Sequence, residues 1–400
     1  MNIYRKIEDA CYIWREEMIQ AFKDEGVLIF FIIVPLVYPL LYSWIYNNEV
    51  VHDVPVVVVD DSHSNLSRQV TRQLDASADV KVLCYAADMD EAKSLVSRQL
   101  AKGIYYIPSD FATRLNRMEQ ATLSVYADMS LMLTYKAIYQ TAVNVTQHMG
   151  AQIQSRVAGK YTVREEQIQS RPLDFQDVPI FNPQGGYGTF VLPAVLMLIL
   201  QQTLVLGIGL AAGTAREKNP YGDLVPLHPA YSGIYRIVCG KALCYIMIYA
   251  VMGAYLSIIV PRIFSFVTMA SGTDLFLLML PYTLACVFFG MTVSCLVRYR
   301  ENVMLLVVFL SLPLLFMVGI SWPQSAIPGV WQGVSWLFPS TFGARAYVRL
   351  NTMGASLSDV LPELRYLWIQ AAFYFGMACL VYGHQLRESR RHAAAAVEAD

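Results

Sequence analysis

Charge is scarce in this 400-residue chain. Only 15% of its residues are Asp, Glu, Lys or Arg, where a soluble domain carries about 25%. The shortfall collects in stretches with no charge at all, the pattern of a chain that uses lipid as solvent for part of its length. Net charge is −1, so no large basic field is available and nucleic acid is set aside as a partner. Seven cysteines occur without a CxxC pair, which leaves zinc-site and thiol-redox readings unsupported. Of these only Cys84 falls in the large polar segment, so no disulfide can close within it. HExxH, GxSxG and Cys/His clusters are missing too. A P-loop needs GxxxxGK[ST], whose backbone amides cradle phosphates. Here Gly240-Lys241 is followed by Ala242, and Tyr235 stands at the first glycine position. The chain thus has no nucleotide site of its own, and no cofactor or metal is expected. His52, His63, His148, His228, His384 and His392 are scattered and read as solvated side chains.

What is present is apolar sequence, 56% of the chain. Six stretches suit transmembrane helices, at about 27–46, 187–213, 242–260, 275–297, 303–320 and 366–383. Roughly 20 residues at 1.5 Å rise cross a hydrocarbon core of about 30 Å. The first stretch is an uncleaved anchor: the polar sequence before it is too long for a signal peptide and no small-x-small cleavage site follows. Pro35 and Pro39 should kink it, with neighbouring helices satisfying the freed carbonyls. Before it, Ile3, Ile7, Cys11, Trp14, Met18, Ile19 and Phe22 recur at helical spacing. Residues 1–26 therefore read as an amphipathic helix on the membrane surface, in preference to a solvated helix against a soluble partner. The tail 387–400, alanine-rich over 393–396, is expected to be disordered.

Residues 47–185 differ. Strand patterns at 54–59, 80–85, 103–107 and 123–126 alternate with helical patterns at 64–74, 89–100, 110–118 and 131–157. Asp88 or Asp90 stands near the start of the second of these helices. Such alternation indicates an α/β domain with a small, partly parallel sheet, inserted between spans 1 and 2 of an α-helical membrane protein. Spans 2–6 occupy 186–386. Short segments on one side (1–26, 213–241, 298–302 and 384–400) carry thirteen Lys and Arg, against four in the opposite short loops (Arg262, Arg345, Arg349 and Arg365). The positive-inside rule then puts both termini in the cytoplasm and the inserted domain outside it.

The segment 215–224, running on through Pro226 and His228-Pro229 to Gly240-Lys241, is a charged cytoplasmic turn between two spans. It reads either as a handle on which a soluble subunit docks or as an ordinary basic inside loop. Gln201 and Gln202, near the middle of the second span, need partners in lipid. Interhelical hydrogen bonding is favoured for them over lining a substrate path. Asp274 and Arg262 read as interfacial, and Trp44, Trp322, Trp331, Trp336 and Trp368 fit aromatic belts.

The order of these motifs resembles the permeases of type-2 ABC exporters along the whole chain. Arg216-Glu217-Lys218, Gly222-Asp223-Leu224, Pro229 and Gly240-Lys241 are similar to that family's loop against the ATPase. Asn219-Pro220-Tyr221 departs from it, standing around an expected Gly-Thr. The run 319–328, with Pro339 and Ala344-Arg345 after it, is similar to the loop after the family's fifth span, which turns back toward the outer leaflet. Val57-Val58-Val59-Asp60-Asp61-Ser62, with Leu66-Ser67-Arg68 and then Ile107-Pro108-Ser109-Asp110-Phe111, is similar to motifs of its extracytoplasmic domain. The resemblance implies a permease subunit in a bacterial inner membrane, powered by a separate cytoplasmic ATPase and paired with a second permease chain. It would export an amphiphilic or drug-like substrate, with a periplasmic adaptor and an outer-membrane channel as further partners. Arg216, Glu217, Lys218, Gly222, Asp223, Leu224, Pro229 and Lys241 would form the ATPase-coupling loop. Two other classes compete: a phage-infection-protein-like envelope scaffold, which would not need the handle, and a secondary transporter, which would show repeats or a mid-membrane carboxylate.

Overall fold

The computed structural model describes residues 3–47, 50–117, 119–158, 180–182, 185–219, 221–296 and 299–399. Met118, residues 159–179, Pro220 and Arg298, all placed by the sequence analysis, lie outside these. The chain divides into two compact units, residues 48–179 and the remainder.

Helix α1 (Ile3–Lys23) stops at Asp24, whose carboxylate accepts the amides of Gly26 and Val27 at 3.0 and 3.2 Å. That N-cap starts the first span (Glu25–Ile45). Ahead of Pro35 the helix widens into a π-turn over Ile29–Ile33, the usual way a helix absorbs a ring that cannot donate. From the third span, the Tyr255 phenol donates to the Leu36 carbonyl at 2.8 Å.

The inserted unit carries β1 (Val54–Asp60), α2 (Asn65–Asp75), β2 (Val80–Ala86), α3 (Met89–Ser97), β3 (Gly103–Ile107), α4 (Phe111–Asn116), β4 (Ser124–Ala127) and α5 (Met132–Ala158). Sheet order is β2-β1-β3-β4, with β1 parallel to both neighbours and β4 antiparallel at the edge. Strand β1 is buried on both faces: Val56 and Val58 pack under α2 and α5, Val57 and Val59 under α3. Such double burial is why Val56–Val59 reads as an unbroken valine run. Ser64 caps α2 through a capping box with Ser67, and Asp88 caps α3. The α3 helix ends at Ser97 rather than near residue 100, because Gln99 takes a positive φ of 61°.

Among the described residues, six helices are long and apolar enough to cross a membrane. After the first come Tyr187–Lys218, Ile234–Ile263, Gly272–Cys295, Arg300–Met317 and Leu361–His392. Several limits differ from expectation. The second span continues through Lys218, so Arg216-Glu217-Lys218 is its last turn and not a loop. The third begins eight residues before residue 242, which puts Lys241 inside a helix. The sixth helix runs on through the alanine tail to Ala399, in keeping with the helix propensity of alanine. The fifth ends at Met317, and Ile320 falls in the turn that follows. That turn, with Gly319 at φ +87°, leads to two short helices, α6 (Gly329–Ser335) and α7 (Pro339–Tyr347).

Burial separates the spans. Of the apolar window, 89% is buried in the second span and 17% in the fifth. The second is therefore the axis of the bundle, and much of the fifth is left uncovered by this chain. Glycine makes the axis thin: a Cβ on Gly207 would fall 2.2 Å from the Phe31 ring, and one on Gly209 would fall 2.3 Å from Val303. Gly207→Leu is therefore expected to destabilise by about 1–3 kcal/mol through overpacking. Adding Phe31→Ala should recover part of the loss. Melting of the detergent-solubilised variants checks this.

Candidate functional site at the end of the second span

Arg216 and Lys218 stand in the last turn of the second span, where cations complement the helix C-terminus. The chain then leaves the helix at Asn219 and turns at Gly222, whose φ of +69° suits glycine. Beyond the turn it drops back into the protein: Leu224 and Val225 are fully buried. The end of the sixth helix holds it there. Ser389 Oγ donates to the Val225 carbonyl at 2.9 Å, Arg390 reaches the Ser232 carbonyl at 3.2 Å, and His392 Nδ1 lies 3.1 Å from both oxygens of Asp223. His228 accepts the Ala230 amide and stacks on Tyr12 of α1, with centroids 4.9 Å apart. Two of the six histidines are thus partnered at this end and are not simply solvated.

Helix α1 is pinned along the third span by charge. Lys241 Nζ lies 2.5 Å from Glu17 Oε2, both side chains almost fully buried, and the Tyr245 phenol donates to the other Glu17 oxygen. Arg236 pairs with Asp9, about two turns before Glu17 on α1 and a little over one turn before Lys241 on the third span. Gly240 allows the approach, since a Cβ there would sit 2.8 Å from the Ala10 carbonyl oxygen. A buried charge without its partner costs several kcal/mol, so Glu17 is what permits Lys241 to lie inside the third span.

A second knot joins three spans. Besides capping the first span, Asp24 accepts from Thr214 Oγ1 at 2.5 Å and pairs with Arg300 Nη2 at 3.0 Å. Arg300, at the head of the fifth span, also lies 3.8 Å from Glu217 Oε2. Its aliphatic stem crosses Gly213, where a Cβ would fall 2.5 Å from Arg300 Cγ. Burial alone would raise the Asp24 carboxyl, but the Thr214 hydroxyl, the Val27 amide and Arg300 together hold it below the usual value. Arg216 turns inward and donates to the Cys295 carbonyl of the fourth span at 3.0 Å.

The eight residues expected in the coupling loop therefore divide. Arg216, Asp223, Leu224 and Lys241 are buried; Glu217, Lys218, Gly222 and Pro229 are exposed. A cleft of about 300 Å³, lined by Glu17, Gln20, Lys218, Tyr221, Leu227 and Lys241 among others, opens between α1 and this segment. The sequence reading passes over Glu17, Asp24, Arg300 and His392, which meet Lys241, Arg300, Asp24 and Asp223 respectively, each more than a hundred residues away. The one available signal was acid at Glu17 and Asp24 in a helix running into an apolar span. In mid-span, Gln201 Oε1 accepts the Ser340 amide at 2.6 Å and so anchors α7. Both glutamines border an apolar cavity of about 220 Å³, with Phe289, Leu306, Leu310 and Phe338, and the buried Nε2 of Gln202 has no partner there. Among the described residues no cluster of three metal-ligating side chains occurs.

A family model described as ABC-2 family transporter protein matches residues 26–380. Two relatives, from Escherichia coli strain K12 and from Escherichia coli O157:H7, carry the name "Probable multidrug ABC transporter permease YbhR". Each is 20% identical over 355 residues, 88% of this chain and 91% of the relative.

Two outcomes follow from the two knots. Lys241→Met alone should cost about 3–5 kcal/mol, because it strands Glu17. Lys241→Met with Glu17→Gln should melt closer to the parent. Asp24 is lowered in the folded chain relative to its unfolded value of about 3.9. Its ionised form therefore stabilises the fold above that pH, and the contribution is lost as pH falls through the lower folded value. Melting temperature measured from pH 6 downward should fall below about pH 4 less steeply for Asp24→Asn than for the parent.

Proposed function

This chain belongs to the ABC-2 transporter family, and on that premise we propose that it is the membrane-spanning subunit of an ATP-driven exporter. Family membership makes it an ABC transporter permease with several transmembrane helices. The power source is a separate cytoplasmic ATPase, which docks on the exposed part of the 217–229 segment. The observation that carries this reading is the continuity of that segment with the second span. Glu217 and Lys218 are exposed on the same helix whose body is the buried axis of the bundle. A push on this end therefore tilts the axis, and the ties at Asp24 and Glu17 pass the movement to the first span, the fifth span and α1.

A second permease chain faces the fifth span, where Val308, Phe309, Leu312 and Phe316 are left exposed. The substrate is amphiphilic or drug-like: the apolar cavity beside Gln202 supports this, as does the multidrug name of the relatives. The Lys and Arg bias favours an inner membrane with both termini cytoplasmic. Residues 47–185 would then be periplasmic, open to an adaptor and an outer-membrane channel.

Glu217→Lys reverses an exposed charge 3.8 Å from Arg300 and is expected to uncouple ATP hydrolysis from export while the chain still folds. The tagged protein, solubilised from its native membrane, should bring down a stoichiometric P-loop protein that the variant loses. Normal export by a folded Glu217→Lys variant would remove Glu217 from the mechanism.

A further inference from the structure

Spans three and four part on a face that the rest of the chain leaves uncovered. The groove between them has a volume of about 320 Å³. Ala250, Gly253 and Ala254 form one wall and Leu275, Phe276 and Met279 the other; none of the lining residues is charged. Small side chains hollow the third span here, and its π-turn over Tyr255–Ile259 follows at once. Two of the three hydroxyls inside are satisfied within the chain. Ser257 donates to the Gly253 carbonyl at 2.7 Å, and Tyr249 donates to Thr203 at 3.0 Å. In a membrane the open side of the groove meets hydrocarbon.

Its length is informative. The groove follows the third span from Ile246 to Ile258, roughly 18 Å at 1.5 Å per residue, against roughly 15 Å for one leaflet of a 30 Å core. Arg262 comes four residues after Ile258, one turn beyond the open end. It is exposed, and no ion pair or hydrogen bond joins its guanidinium to another described residue. Asp274, the acid at the same end, accepts from Ser271 instead. A slot sized for one acyl chain thus ends under an unpartnered cation that suits a phosphate.

We propose that this groove binds a single anionic phospholipid, one acyl chain along Ala250–Gly253–Ala254 and its phosphate on Arg262. The site stands independently of the export reading, because it uses neither the 213–241 segment nor the Gln202 cavity. The headgroup contact gives the preference for anionic lipid, and the groove gives retention through detergent.

The full-length protein, stripped in dodecyl maltoside and incubated with phosphatidylglycerol or phosphatidylcholine, would be analysed by native mass spectrometry. The parent should retain one phosphatidylglycerol in preference to phosphatidylcholine. Arg262→Gln, an exposed change, should weaken that preference roughly fivefold. Ala254→Phe fills the slot from its open side and should abolish retention of both lipids, with its melting temperature recorded as the folding control. Equal retention of the two lipids by the parent overturns the proposal, as does undiminished retention by Ala254→Phe. Disulfide cross-linking of two chains through Ala250→Cys would also overturn it, because a second copy would then occupy the groove.

Discussion

Asp24 meets three helices at once, and the geometry of the membrane unit depends on how its charge is used. One oxygen caps the first span and receives Arg300 from the fifth; the other takes the Thr214 hydroxyl from the second. Near hydrocarbon an unpaired carboxylate is too costly to keep. The three helix ends are therefore held together at one point, close to where the second span emerges at Glu217. The Glu17–Lys241–Tyr245 cluster does the same for α1 and the third span. On the proposed function, a load applied to the 217–229 segment would enter the bundle through these two places.

Between the knots, packing against the second span is close and apolar. Glycines at 207, 209 and 213 let a ring, a branched side chain and an arginine stem lie directly on its backbone, so the axis cannot shift without moving its neighbours. Looseness is found elsewhere. It lies in the cavity beside Gln202, in the uncovered fifth span and in the groove between spans three and four. Rigid coupling along the axis and open volume at the sides are what a permease needs, since one transmits force and the other admits apolar molecules.

Much of this was legible in the sequence, because its signals are local. Charge-free runs marked six spans, and the valine run 54–59 marked a strand buried on both faces. Of Asp88 and Asp90, both read near one helix start, Asp88 is the cap, and Ser64, read as the first residue of its helix, caps it from outside. Where the reading slipped, a distant partner was responsible. The sequence reading starts the third span at residue 242, but its helix begins at Ile234 and holds Lys241, which Glu17, 224 residues earlier, neutralises. For Gln201 the favoured reading, interhelical hydrogen bonding, matches the bond it accepts from the Ser340 amide, 139 residues away, although it lines the apolar cavity as well. The tail was taken as low-complexity sequence, although its alanines simply prolong the sixth helix. The motif order along the chain resembled a permease family before any geometry was known, while the inward turn of Asp223 onto His392 had no local signature.

The central claim is that an ATPase docks on the exposed part of the segment after the second span. A photo-crosslinking amino acid at Leu227, an exposed position on that segment, tests it in intact cells. The account predicts one dominant cross-link, to a P-loop protein, and no such adduct from the same probe at exposed Leu83 in the inserted domain. A P-loop adduct from Leu83 and none from Leu227 would contradict both the docking site and the orientation on which it rests.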